Sequence, residues 1–237
     1  MLQEKEHFVH PELGEIRITY NRRARRIIMR VRPDAIYITQ PPTASREAVL
    51  NFIQKYSKQI TEQQKANVAR PIDFNYTIDA PLFKFKLQPT NCNHFQLRRE
   101  EGHCYTLLCP SESNFNDKRL QEWLKKIITN TLKECAKEQL PTRLKNIAAD
   151  KGFKFGDVTT RDCHSRWGSC SSRGNINLSI YLMLLPEALI DYVLLHELCH
   201  TIEMNHGPKF WQLLDSATNG AAKRLRTELR RHKTAIV

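Results

Sequence analysis

The sequence predicts an α+β fold in which a helix carrying the motif HELCH packs on a small antiparallel sheet, preceded by a β-rich, arginine-rich N-terminal region. Three observations predict this fold. Residues 16–39 and 72–109 alternate apolar and polar side chains with a period of two, as strands do. Segments 45–66 and 117–140 instead repeat apolar residues at helical spacing. The last third combines an alternating segment, NINLSIYL, with an apolar helix, PEALIDYVLLHELCHTIE.

The composition favours a soluble cytoplasmic protein. The 237 residues carry 37 basic and 25 acidic side chains, a net charge of +12 that would suit a polyanionic partner such as nucleic acid. No segment approaches the roughly 20 apolar residues needed to span a membrane, so no membrane partner is expected. The N-terminus lacks the apolar region of a secretory signal. Seven irregularly spaced cysteines favour reduced thiols over a disulfide framework.

The predicted N-terminal region spans residues 1–112 and contains an arginine-rich segment. Seven arginines lie between Arg17 and Arg32, among alternating apolar residues. They would form either a phosphate-binding stripe or the charged, exposed face of a strand. Few aromatic side chains accompany them, which favours the exposed face. Ser45 is the expected N-cap of the helix that follows.

The second predicted domain spans residues 113–237. Asp117 begins its first helix, and Pro141 is expected to begin a separate short helix, because proline is tolerated in a first helical turn. Clean alternation predicts a strand over residues 175–182. Pro186 then begins the helix that contains HELCH.

The motif HELCH places two histidines and a glutamate in one small volume. His196 and His200 lie one turn apart on the same helix face, so their imidazoles can bind one metal ion at about 2.0–2.1 Å. Glu197 lies about 100° round the helix, where it can reach a water molecule at the open position of the metal. Zinc lowers the pKa of that water, and the carboxylate takes its proton and passes it to the leaving amine. Without a metal, burying these groups among apolar neighbours would be costly.

A catalytic zinc site needs a third protein ligand. Glu203 follows His196 by seven residues, which is about 10 Å along a continuous helix and too far for a shared ion. His206 can reach the ion only if the chain turns back after the helix. Asn205 tolerates a left-handed cap conformation, and Gly207–Pro208 would end one helix and start another. We therefore expect the histidine to be the third zinc ligand and Glu203 to lie outside the ligand set.

Four segments together resemble the YgjP-like metallopeptidases, relatives of the SprT-like and Wss-type zinc proteases: WGSC, the strand NINLS, the helix DYVLLHELCH and NHGPKFW. The resemblance covers most of the chain and is most specific over residues 166–211. It implies a zincin-like catalytic core in which Glu197 is the general base. The ligands of one Zn²⁺ would be His196, His200 and His206. The expected activity is zinc-dependent hydrolysis of a protein or peptide substrate, including proteins associated with nucleic acid.

The resemblance also implies how a substrate would bind, since zincin proteases commonly take it as a strand added to a sheet edge. The candidate edge strand is NINLSIYL, with Asn175 and Asn177 contacting the substrate. Arg166 and His164 are candidates for contacting the oxyanion or orienting a ligand. For each of these two, a surface salt bridge or a turn hydrogen bond is the alternative. Phe210 is expected to pack in the core beneath the site.

Two other functions fit parts of the sequence. A family of rRNA-processing hydrolases uses three histidines at this spacing, HxxxH-x5-H, and the basic charge would suit RNA, so a metal-dependent ribonuclease is the alternative. Those proteins have glycine where this chain has Glu197, which favours peptide hydrolysis. In a non-catalytic binding module the zinc would be structural and would have four protein ligands. No fourth ligand is apparent at short range in the sequence.

Overall fold

The chain divides into two units, Met1–Arg70 and Pro71–Val237. The computed structural model describes residues 3–32, 34–66, 71–234 and 236. The division differs from the predicted boundary after residue 112, because the sheet that precedes this boundary shares its hydrophobic core with the long helix that follows it. No helix in the described ranges combines the length and apolar character that crossing a membrane requires.

The first unit is a four-stranded sheet followed by two helices. Its strands are β1 (Gln3–His10), β2 (Gly14–Tyr20), β3 (Ile28–Val31) and β4 (Ile36–Gln40), in the order β1-β2-β4-β3 with β2 and β4 parallel. Its helices are α1 (Arg46–Lys55) and α2 (Ser57–Ala66). The predicted N-cap Ser45 is confirmed, because its hydroxyl accepts a hydrogen bond from the Ala48 amide at 3.1 Å. The arginines between β2 and β3 are exposed.

The second unit opens with a sheet of the same topology. Its strands are β5 (Thr77–Ala80), β6 (Phe83–Thr90), β7 (Gln96–Glu100) and β8 (Cys104–Pro110), in the order β5-β6-β8-β7 with β6 and β8 parallel. Helix α3 (Lys118–Lys151) begins beside Asp117, the predicted helix start; this residue is the N-cap, and its carboxylate accepts from the Arg119 amide. The two helices predicted on either side of Pro141 are one helix of 34 residues. Proline removes one backbone hydrogen bond, but Leu140 and Leu144 are fully buried and hold the helix against the core.

A three-stranded sheet and three helices complete the second unit. The strands are β9 (Val158–Arg161), β10 (Gly168–Cys170) and β11 (Ile176–Ser179), and the helices are α4 (Glu187–Cys199), α5 (Pro208–Ala217) and α6 (Ala222–Leu229). The strand order is β10-β11-β9, with β10 antiparallel and β9 parallel to β11. The sheet is therefore mixed, and not antiparallel as predicted. The strand predicted over residues 175–182 ends at Ser179, and a 3₁₀ turn follows, Ile180–Leu184. Ile180, Tyr181, Leu182 and Met183 are all buried in that turn, so the predicted alternation of buried and exposed side chains does not continue past Ser179.

Candidate metal centre

Helix α4 carries HELCH and ends four residues earlier than predicted. Its last residue is Cys199, and His200 caps it. The carbonyl of Leu198 accepts from both the amide of Thr201, at 3.0 Å, and the hydroxyl of the same residue, at 2.7 Å. These bonds satisfy a carbonyl that the helix leaves without an intrahelical partner. The chain is therefore free to change direction directly after His200.

The segment 201–207 returns the chain to α4. The Gly207 amide donates to the Asn205 carbonyl at 2.7 Å, which makes a tight turn centred on His206. Gly207 then caps α5, and Pro208 occupies its first turn. The expected left-handed cap is absent: Asn205 has no positive φ, and Gly207 has a φ of −77°. The early end of α4 explains this, because the reversal is spread over several residues.

The turn brings three imidazole rings together. The Nε2 atom of His200 lies 3.2 Å from that of His196 and 3.2 Å from that of His206, and the third separation is 3.0 Å. Three nitrogens bound tetrahedrally to one zinc ion at 2.0–2.1 Å would be about 3.3 Å apart. The rings therefore fit a shared metal ion. Within the described residues, this is the one cluster of three or more His, Cys, Asp or Glu side chains close enough to hold a metal.

Neighbouring groups orient the three rings. The Nδ1 atom of His200 lies 3.0 Å from the backbone carbonyl of Glu203. A carbonyl only accepts, so this nitrogen carries the proton and the Nε2 lone pair points into the cluster. The fully buried ring of Phe210 contacts all three imidazoles, with centroids 4.9 Å from His196, 4.5 Å from His200 and 4.7 Å from His206. Phe210 was expected to pack in the core beneath the site, but its contact with all three rings was not predicted, because it depends on how α5 lies against α4.

Burial favours the neutral form of two of the imidazoles. It lowers the pKa of His196 to about 3, and the neighbouring rings of His200 and His206 and the charge of Arg226 act in the same direction. It also lowers the pKa of His206. Neutral imidazole is the form that binds metal. The Nδ1 atom of His196 is buried and has no hydrogen-bond partner among the described residues.

Glu197 lies buried beside strand β10. Its side chain is 5% exposed, and burial raises its pKa to about 7, while the positive charge of Arg166 acts in the opposite direction. Gly168 of β10 approaches it so closely that a Cβ atom at this position would lie 2.6 Å from Oε1 of Glu197. Gly168 was not predicted as a site residue. The glycine in WGSC was an available indication, because glycine often marks a close approach to a strand.

The predicted edge strand is wrong. Strand β11 lies between β10 and β9 and pairs with both, so it cannot accept an added strand. The side-chain oxygen of Asn175, just before β11, accepts from the Asp157 amide at 3.0 Å. The side-chain oxygen of Asn177 accepts from the Thr159 hydroxyl at 2.6 Å. The side chains of both asparagines are therefore hydrogen-bonded to neighbouring segments of the chain.

The other two predicted site residues lie in different places, one near Glu197 and the other away from the histidine cluster. Arg166 lies close enough to Glu197 for its charge to lower the pKa of that carboxylate. His164 does not belong to the histidine cluster. Its Nδ1 atom lies 2.5 Å from the Thr234 carbonyl, and its Nε2 atom lies 2.9 Å from the Tyr181 hydroxyl. These contacts tie the C-terminal segment to the connection between β9 and β10.

The chain matches a known family of metallopeptidases. The model of the YgjP-like metallopeptidase domain matches residues 25–232. None of the curated proteins compared with the chain matches it. Among solved structures, the crystal structure of the metallopeptidase zymogen of Pyrococcus abyssi abylysin is similar, with 22% sequence identity and a TM-score of 0.33. The match covers 40% of this chain and 99% of that chain, and a likeness at this level carries no argument about the site.

Proposed function

Because the chain belongs to the YgjP-like metallopeptidase family, we propose that it is a zinc-dependent peptidase with a zincin-like core. The ligands of the metal are His196, His200 and His206. The observation that carries this proposal is the meeting of their three Nε2 atoms next to the buried carboxylate of Glu197. Three protein ligands and an open fourth position are the arrangement of catalytic zinc. When bound, Zn²⁺ would lower the pKa of a water molecule and polarise the substrate carbonyl.

Glu197 is the general base in this proposal. Its pKa of about 7 suits a group that takes up a proton and returns it near neutral pH. Gly168 limits where the carboxylate can lie, because the strand backbone passes against it. The carbonyl of Glu203 and the ring of Phe210 hold the imidazoles. In this proposal, different groups act as the base, bind the metal and orient the ligands.

We further propose that peptide substrates bind along β10 and not along β11. Among the described residues, β10 pairs on one side only. The carbonyl of Trp167 accepts from the Ser179 amide at 2.8 Å and therefore faces β11. Backbone groups alternate in direction along a strand, so those of Gly168 and Cys170 face away from β11. An added strand uses such groups, and it would pass directly beside Glu197.

Replacing Glu197 with glutamine tests the proposed function. The variant should retain one Zn²⁺ per chain but lose peptide hydrolysis by about 10²–10⁴-fold, because glutamine cannot take up a proton. The matched control is Glu203→Gln, which makes the same change at a side chain outside the cluster and leaves the backbone carbonyl in place. The measurements are zinc content by mass spectrometry and kcat/KM on a peptide that the wild type cleaves.

Two outcomes would contradict this proposal. Undiminished cleavage by the Glu197→Gln variant would exclude Glu197 as the base. Cleavage of structured RNA that a chelator abolishes, with no cleavage of peptides, would instead favour the metal-dependent ribonuclease.

A further inference from the structure

A cavity of about 290 Å³ lies beside the proposed substrate edge. The strand register places Ser169 next to Asn177 and Asn177 next to Thr159, and side chains at paired positions share one face of a sheet. Arg161 follows Thr159 by two residues and shares this face. Gly168 has the opposite orientation and faces Glu197 of α4. The cavity therefore opens on the face of the sheet that points away from α4, and residues of the β9–β10 connection complete it.

Strand β10 connects this cavity with the proposed general base. Gly168 lines the cavity and also lies against Glu197. A peptide added along β10 would point alternate side chains to opposite faces of the sheet. One set would face α4, and the other set would face the cavity. A side chain close to the scissile bond would therefore reach the cavity.

The lining of the cavity supplies positive charge and hydrogen-bond donors. Arg161 and Arg166 both line it, and neither guanidinium has an ion pair or a hydrogen bond with another part of the described chain. The side-chain oxygen of Asn177 is occupied by Thr159, which leaves its NH₂ group as a donor. No aspartate or glutamate is among the residues that line the cavity. The charge of Arg166 also acts on Glu197, whereas Arg161 has no acidic group beside it among the lining residues. A guanidinium without an ion pair is complementary to a carboxylate.

We propose that this cavity is a specificity pocket for an acidic side chain, aspartate or glutamate, of the peptide substrate. The inference rests on the proposed peptidase function and on substrate binding along β10. Guanidinium groups bind carboxylates through charge-assisted hydrogen bonds, often two at once. A glutamine of the same shape makes weaker, uncharged bonds, and a lysine is repelled. The pocket should therefore favour glutamate over glutamine by about tenfold or more in kcat/KM.

A positional library of quenched fluorescent octapeptides tests the pocket. One position at a time is fixed as glutamate, glutamine or lysine, the others are neutral, and the zinc-loaded full chain is assayed. At one position the wild type should cleave the glutamate peptides about tenfold faster than the glutamine peptides. Arg161→Glu should abolish this preference and raise the cleavage of lysine peptides above the wild-type rate. A gain for lysine peptides cannot arise from misfolding.

The matched control is Arg173→Glu. Arg173 is exposed in the turn between β10 and β11 and does not line the cavity. This substitution makes the same change in net charge and should keep the preference for glutamate. If both variants lost the preference for glutamate equally, the preference would arise from net charge, and the proposed specificity pocket would be wrong.

The remaining outcomes separate the pocket from the proposed function. Equal cleavage of all three peptide sets by the wild type, still dependent on Glu197, would overturn the pocket alone. Cleavage of no peptide would overturn both the pocket and the peptidase function.

Discussion

Replacing Gly168 with alanine should remove most peptidase activity without removing the metal. Gly168 lies on β10, which pairs with β11 and passes against Glu197 of α4. The histidine cluster lies on α4 and in the turn that follows it. A methyl group at position 168 therefore acts on the proposed base and not on the proposed ligands.

The size of the effect follows from the contacts. An alanine Cβ atom would lie 2.6 Å from Oε1, 2.7 Å from Cγ and 2.8 Å from Cδ of Glu197, whereas ordinary contacts begin at 3.4 Å. Rotation of the carboxylate cannot relieve the contact with Cγ, so the side chain must retreat by about 0.6–0.8 Å, the shortfall at Cδ and Oε1. Misplacement of a catalytic group by about 1 Å costs about 10²-fold in rate. We therefore expect kcat/KM to fall by roughly 100-fold.

The assay compares kcat/KM, zinc content and melting temperature of Gly168→Ala with those of the wild type. Gly207→Ala is the control, because a Cβ at Gly207 meets no atom within 4 Å and the backbone has an ordinary φ of −77°. This control should keep its activity within about twofold of the wild type, since it adds no contact. Wild-type activity in Gly168→Ala would refute the placement of the carboxylate. Loss of zinc from the same variant would show that the clash reaches the ligands.

Two further predictions concern the third ligand and the buried charge. His206→Ala should weaken zinc binding by more than about 100-fold, the upper range for loss of an outer partner, while Glu203→Ala should not, since its backbone carbonyl remains. Competition with a chromophoric chelator measures both, and equal affinities of the two variants would contradict the assignment. Burial raises the pKa of Glu197 from 4.5 to about 7. As the pH rises from 4.5 to about 7, the free energy of unfolding of the metal-free wild type should therefore fall by about 3 kcal/mol relative to that of Glu197→Gln. Urea unfolding with a chelator at pH 5 and pH 8 measures this difference, and a difference that does not change with pH would count against the buried carboxylate.

Local patterns predicted the beginnings of helices better than their ends. The N-cap at Ser45 and the helix start at Asp117 are confirmed, because a cap depends on a side chain and an amide two or three residues away. The continuous helix through Pro141 was not predicted, because burial of its neighbours outweighs the lost hydrogen bond. The end of α4 at Cys199 was also missed, since Ile202 keeps the helical spacing of apolar residues past it.

The candidate site was likewise predicted in part: the histidine cluster was expected, and the surroundings of Glu197 were not. Its histidines lie within eleven consecutive residues, so helix geometry and one required turn were enough to predict that His206 approaches His196. The surroundings of Glu197 depend on strand order, which alternation within one strand does not determine. For this reason β11 was taken as an edge, and Gly168 was not identified as a contact of the site.

The proposed metal site and the proposed substrate pocket use different residues, so substitutions can change one without the other. Metal binding, as proposed, depends on one short segment, α4 and the turn to His206, together with the ring of Phe210. Substrate selection, as proposed, depends on β10 and on side chains such as Arg161 that precede it. The two sets meet at the contact between Gly168 and Glu197. Substitutions in the cavity should therefore alter which peptides are cleaved while leaving zinc affinity unchanged, whereas changes at that contact should affect the proton transfer for every substrate.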